Sequence, residues 1–100
     1  MATVKLSLLA RLRARPGKEE EVAAFLASAL PLAEAEQTTV VWFAFRISKS
    51  EFGVFDAFAD EAGRRTHLEG PIAQALMAKA PELFAEPPVI ERLDLLATKL

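Results

Sequence analysis

The sequence predicts one α+β domain over residues 1–100 on the ferredoxin-like plan, βαββαβ, with a four-stranded antiparallel sheet covered on one face by helices. Three observations predict it. Apolar residues alternate with period two at the start of the chain. The period then changes to that of a helix. Two β-branched and aromatic runs follow, separated by only a few residues, as in a hairpin.

Over Val4 to Ala14, Val4, Leu6, Leu8, Ala10 and Leu12 fall on one side, and Lys5, Ser7, Arg11 and Arg13 on the other, which reads as a strand. Pro16-Gly17 breaks it. From Lys18 to Glu36, Val22, Phe25, Leu26, Ala29 and Ala33 take helical spacing. Glu19, Glu20 and Glu21 occupy the first turn, where the helix dipole favours acids. Pro31 should kink this helix or divide it in two. Thr39 to Ser48 and Phe52 to Ala59 form the hairpin strands. Asp60 to Glu69 is a short helix with Asp60 as its N-cap. Gly70 ends it, and Pro71 opens another helix to about Ala80, with "PELFAE" adding about one turn. Pro87-Pro88 stops that helix, and Val89 to Ala97 is the last strand.

Composition narrows the function. The formal net charge is -2 and the basic residues are scattered, so nucleic-acid binding is not expected. No apolar run has the length of a membrane span. Lys5, Arg11 and Arg13 interrupt the plan of a signal peptide, so the expected compartment is the cytoplasm. Cysteine is absent, which removes disulfides and thiol catalysis. One histidine is too few for a metal site.

The second strand poses a physical problem. Val41, Phe43, Phe45 and Ile47 lie on one of its faces, and Val40, Trp42 and Ala44 on the other. An edge strand apolar on both faces is an aggregation template, and helices can cover only one face of the sheet. A second copy of the chain is the economical cover, so a homodimer is expected.

The chain's one histidine lies in "RRTHLEGPI". Leu68 must turn inward to anchor its short helix. His67 is then about 100° around the helix, at the edge of the buried face and towards a pocket between helix and sheet. With a reference pKa near 6.5, His67 is the candidate acid–base group; the plainer reading is a histidine bonded to a backbone carbonyl. Asp56 interrupts "FGVFDAFA" in phase with Phe52, Val54 and Phe58. It either faces the pocket as a base or orienting group or pairs with Arg11, Arg13 or Arg92, and the pair is favoured because a lone buried acid is costly. Trp42 either stacks on an aromatic ligand or serves core or interface. Arg46 either steers an anionic or phenolate oxygen or pairs with a surface acid.

The strand ending in "ARLRARPGKEEE", the aromatic hairpin and "FDAFADEAGRRTHLEGPIAQALMAKAPELF" resemble the antibiotic biosynthesis monooxygenase family, quinol monooxygenase-like members of the dimeric α+β barrel superfamily. The resemblance covers nearly the whole chain. It implies a dimeric barrel of two ferredoxin-like protomers. It also implies a monooxygenase, an oxidoreductase that oxidises small aromatic, phenolic or quinol-type substrates with molecular oxygen, with no metal, flavin or other cofactor. His67-Leu68 and Pro71 match the family's His-Leu and following proline. This chain has Ile72 where many members have a second histidine, and Phe58-Ala59 where many have Trp-Glu. On this reading His67 is catalytic, while Trp42, Arg46, Asp56 and Phe58 contact substrate. Haem-degrading relatives place an asparagine, a tryptophan and a haem-ligating histidine near positions occupied here by Ala10, His67 and Met77, so no haem site is expected. The alternative is a dimeric small-molecule-binding or structural protein without turnover.

Overall fold

A computed structural model of the chain describes residues 3–100; the first two residues of the expected domain lie outside the described residues. The strands are β1 (Leu6–Arg13), β2 (Val41–Arg46), β3 (Glu51–Phe58) and β4 (Val89–Asp94), and the helices are α1 (Glu19–Ser28), α2 (Leu30–Ala35), α3 (Glu61–Leu68) and α4 (Pro71–Leu83). The sheet is wholly antiparallel in the order β2-β3-β1-β4, with β2 and β4 at the edges. This is the ferredoxin-like plan read from the sequence.

Strand alternation decides what each face carries. Leu8, Ala10 and Leu12 of β1 lie opposite Asp56, Val54 and Phe52 of β3, and these in turn lie opposite Trp42, Ala44 and Arg46 of β2. This face receives the helices. Its core joins Ala10, Leu12, Phe52 and Val54 to Val22 and Leu26 of α1, Leu76 and Leu83 of α4, and Phe84. The other face carries Phe43, Phe45 and Ile47, and Phe43 and Ile47 remain 59% and 53% exposed.

The helical stretch divides at Ala29, and Pro31 sits within the first two positions of α2. A proline needs no N–H partner there, so it starts the second piece and does not bend the first. Gly17 turns the chain after β1 with φ of 85°, the left-handed region that glycine enters without steric cost. Asp60 caps α3 as expected, its Oδ1 accepting from Gly63 N–H at 2.9 Å.

The last helix runs unbroken to Leu83 with Pro81 inside it, the extra turn read from "PELFAE", because Leu83 and Phe84 are anchored in the core and hold the final turn. One boundary differs from the sequence reading by more than two residues. The last strand stops at Asp94, short of Ala97. One more ladder bond forms, from Leu95 N–H to Lys5 carbonyl, and Leu96 beyond it is 98% exposed. An apolar run past the end of its partner strand has nothing to pair with.

Replacing Asp60 with Ala leaves the Gly63 N–H without its capping oxygen. The variant is expected to lose about 0.5–2 kcal/mol in urea unfolding with an unchanged m-value.

Candidate active site

The site is built where α3 crosses the sheet. α3 is short and polar, and it is tied down through Arg64 and His67. Arg64 is buried, with Nη1 donating to the Ser7 carbonyl at 3.3 Å and Nη2 to Glu61 at 2.6 Å. His67, one turn later, is also buried, and its ring rests on Phe58 with centroids 5.5 Å apart.

Both nitrogens of His67 meet a carboxylate. Nδ1 lies 2.6 Å from Glu36 Oε1, and Nε2 lies 2.9 Å from Asp56 Oδ2. Glu36 closes the C-terminus of α2, and its Oε1 also accepts from the Thr39 hydroxyl at 2.7 Å. Burial alone would lower the pKa of His67. The bond to Asp56 and its charge, and then the bond to Glu36 and its charge, outweigh that and hold it above 6.5. Each contact places one hydrogen between a ring nitrogen and a carboxylate oxygen, so neither nitrogen presents a free lone pair to a substrate proton or a metal ion. Among the described residues no group of three or more His, Cys, Asp or Glu is arranged to hold a metal.

The sequence reading of Asp56 needs correcting here. It does not pair with Arg11, Arg13 or Arg92. Arg11 binds Glu91, and Arg13 binds Glu86 and Glu51. Parity excludes Arg11 and Arg13, which pair across β1–β3 with Gly53 and Glu51 on the face opposite Asp56; Arg92 shares the face of Asp56 but stands two strands away on the edge strand β4. Asp56 turns towards the helices and finds His67. Its Oδ1 is buried with no hydrogen-bond partner, as is Glu36 Oε2.

Beside this cluster lies a cavity of about 210 Å³ between the sheet and α1, α2 and α4. Asp56 and His67 share its wall with Leu8, Phe25, Trp42, Leu68, Ile72 and Leu76, and with Ala10, Ala29, Ala73 and Ala75. Trp42 is the cross-strand neighbour of Asp56, and its indole N–H is buried without an acceptor.

The structure thus brings His67, Asp56 and Trp42 to one cavity and keeps two other candidates out of it. Phe58 is fully buried beneath His67 and supports the ring without reaching the cavity. Arg46 lies at the far end of β2, 4.9 Å over the Phe52 ring, where it donates to Glu20 at 3.0 Å and to the Lys49 carbonyl at 2.8 Å. It is the surface-acid pair that the sequence also allowed. Ile72 is a cavity wall. Sequence reasoning missed Glu36 and Thr39. The signal available was the cost of burying one histidine beside one acid, which asks for a further partner but does not say which residue supplies it.

No protein-family model matches the chain, and no curated protein matches it. Solved structures do. A protein of unknown function from Nitrosomonas europaea is 61% identical, with a TM-score of 0.95 over 97% of this chain and 94% of that one. A candidate antibiotic biosynthesis monooxygenase from the same organism superposes with a TM-score of 0.82 at 11% identity, over 96% of this chain and 94% of its own. Another, from Caulobacter crescentus, gives 0.70 at 22% identity, over 94% and 92%. At such identities the last two share the fold, in agreement with the resemblance read from the sequence.

Because His67 is the sole histidine, its imidazole resonances can be followed without assignment. NMR titration is expected to give a pKa above 6.5. A raised folded-state value means stability that is fully present below the unfolded value of about 6.5 and lost as pH rises through the folded value. Stability should therefore decline on the alkaline side, and His67→Gln should remove that slope.

Proposed function

We propose, on the premise that this chain belongs to the same family as its Nitrosomonas europaea relative and shares its fold with the antibiotic biosynthesis monooxygenases, that it is a cofactor-independent monooxygenase of a small aromatic, phenolic or quinol-type molecule. One observation carries the proposal: a largely apolar cavity has a single ionisable wall, made by Asp56 and His67. An electron-rich phenolate can itself reduce molecular oxygen, so the protein need only orient the substrate, exclude water and take a proton. One oxygen atom enters the product, and the other leaves as water with electrons drawn from the substrate.

The roles follow from the geometry. Both His67 nitrogens are occupied, so the group that accepts the phenolic proton is Asp56, through its free Oδ1. His67 holds Asp56 in place and balances its charge. Trp42 and Phe25 flank the ring, and the Trp42 N–H is a donor for a substrate carbonyl or for a reduced oxygen species.

The test is oxygen uptake with a panel of hydroquinones and anthrones. His67→Ala and Asp56→Asn are each expected to lower the rate by about 10²-fold or more with the fold retained. A full rate in folded Asp56→Asn would remove the carboxylate from the mechanism. One observation favours a second reading, a binding protein without turnover: the histidine is already saturated by two carboxylates. Oxygen consumption absent across the panel, with ligands still bound, would put that reading first.

In the same proposal the working unit is a homodimer closed over the free sheet face. Phe43, Phe45, Ile47 and Val89 are all exposed apolar residues, and a partner sheet would cover them without touching the cavity on the other side. Phe43→Glu is expected to convert the dimer to monomer by light scattering at micromolar concentration, because a charge would then be buried in an apolar interface. A wild-type monomer would refute it.

A further inference from the structure

We propose that the cavity beside His67 is a binding site for a small organic cation, a protonated amine on a compact apolar body, with its ammonium group held by Asp56. This goes beyond the oxygenase reading: it concerns the charge of the ligand and stands whether or not oxygen chemistry follows.

His67 contacts Glu36 at 2.6 Å and Asp56 at 2.9 Å, and each contact needs one hydrogen between nitrogen and oxygen. With both hydrogens on the ring, an imidazolium sits between two carboxylates. With one moved onto a carboxyl group, a neutral ring sits between an acid and a carboxylate. Both arrangements carry one net negative charge, so the result does not depend on where the protons rest. That charge lies among apolar walls, where an uncompensated ion is costly.

Among the described residues no lysine or arginine lines the cavity. Arg92 shares the sheet face of Asp56 but is exposed and lies two strands away, beyond Leu8. Arg64, on the same helix as His67, is engaged by Glu61 and by the carbonyls of Ser7 and Leu93. Ser28, the other polar lining residue, donates its hydroxyl to the Phe25 carbonyl. The Asp56 side chain is 3% exposed, and its Oδ1 has no donor. An ammonium group supplies both what the charge and what the oxygen lack. The Trp42 ring on the same wall favours it further through its π face. A cavity of about 210 Å³ holds one ring with a short arm, since a void of ~150 Å³ already takes up benzene.

The chain has one tryptophan and no tyrosine, so its intrinsic emission reports Trp42 at the cavity wall. Three near-isosteric probes separate charge from shape at pH 7: benzylammonium, benzyl alcohol and benzoate. Benzylammonium is expected to change the emission saturably and to bind at least about tenfold tighter than benzyl alcohol, a difference of about 1.4 kcal/mol; benzoate should not bind. Asp56→Asn should bring the first two to equal affinity. Glu36→Gln also removes one negative charge from the cluster but leaves the lining unchanged. It should shrink the same preference, and it carries the test if Asp56→Asn does not fold. Equal affinities in the native protein, tighter binding of benzoate, no saturable binding of benzylammonium, or a preference that survives in a folded variant would each overturn the proposal. Failure to consume oxygen bears on the oxygenase reading and leaves these affinities as they are.

Discussion

The structure turns on one constraint: a histidine buried between two carboxylates, each of which needs it. Glu36, Asp56 and His67 come from the end of α2, the middle of β3 and the last turn of α3. Removing His67 would leave two buried carboxylates without a counter-charge, which costs several kcal/mol for groups out of water. The three segments are therefore fastened together by electrostatics where apolar contact is thin. α3 has few apolar side chains to offer, and α2 buries only Ala33. The break at Ala29 and Pro31 serves the same end, because it re-aims the chain so that Glu36 arrives beside His67.

Next to this fastening the packing is deliberately loose in one place. Alanines at 10, 29, 73 and 75 face Phe25, Trp42 and Leu76 across a gap that larger side chains would close. Protein interiors ordinarily fill such space to crystal-like density. A largely apolar lining beside a charged cluster strengthens the electrostatic interactions at its wall. Rigidity and space are supplied by different parts of the chain: β1 and β3 give the floor, and α1, α2 and α4 the roof.

The fold was legible because periodicity is local. Alternation in β1, helical spacing from Val22 to Ala33, the Asp60 cap and the proline-led α4 each announce themselves within a few residues. What the sequence concealed was tertiary. The extent of β4 depends on where β1 begins, not on its own apolar run. The partner of Asp56 depends on strand parity: Arg11 and Arg13 are rich in charge but face the other way. Trp42 and Asp56 could be placed on one face by counting. Glu36 could not be connected to His67 from the sequence, because 31 residues and a helix break separate them. Arg46 misled for a related reason. Its alternation put it on the right face of β2, but at the far end, beyond the reach of the cavity.

The proposed base and the proposed cation site are two responses to one electrostatic deficit. Both nitrogens of His67 are engaged by carboxylates, so in the proposed reaction a proton leaving a bound molecule goes to a carboxylate oxygen. Asp56 Oδ1 and Glu36 Oε2 are the two without partners, and of these residues only Asp56 lines the cavity. One proton arriving there makes the cluster neutral, and one ammonium group placed there does the same without a transfer. A bound anion would add to the deficit, so it is the kind of ligand this wall rejects. In the proposed reaction a phenol enters as a neutral donor and is held as it gives up its proton, because the charge that forms on its oxygen is matched by the charge the cluster has just lost. The carboxylate–histidine–carboxylate arrangement would thereby set the order of events in the proposed oxygenase: the substrate enters uncharged or cationic, and a phenolate forms only as its proton passes to Asp56.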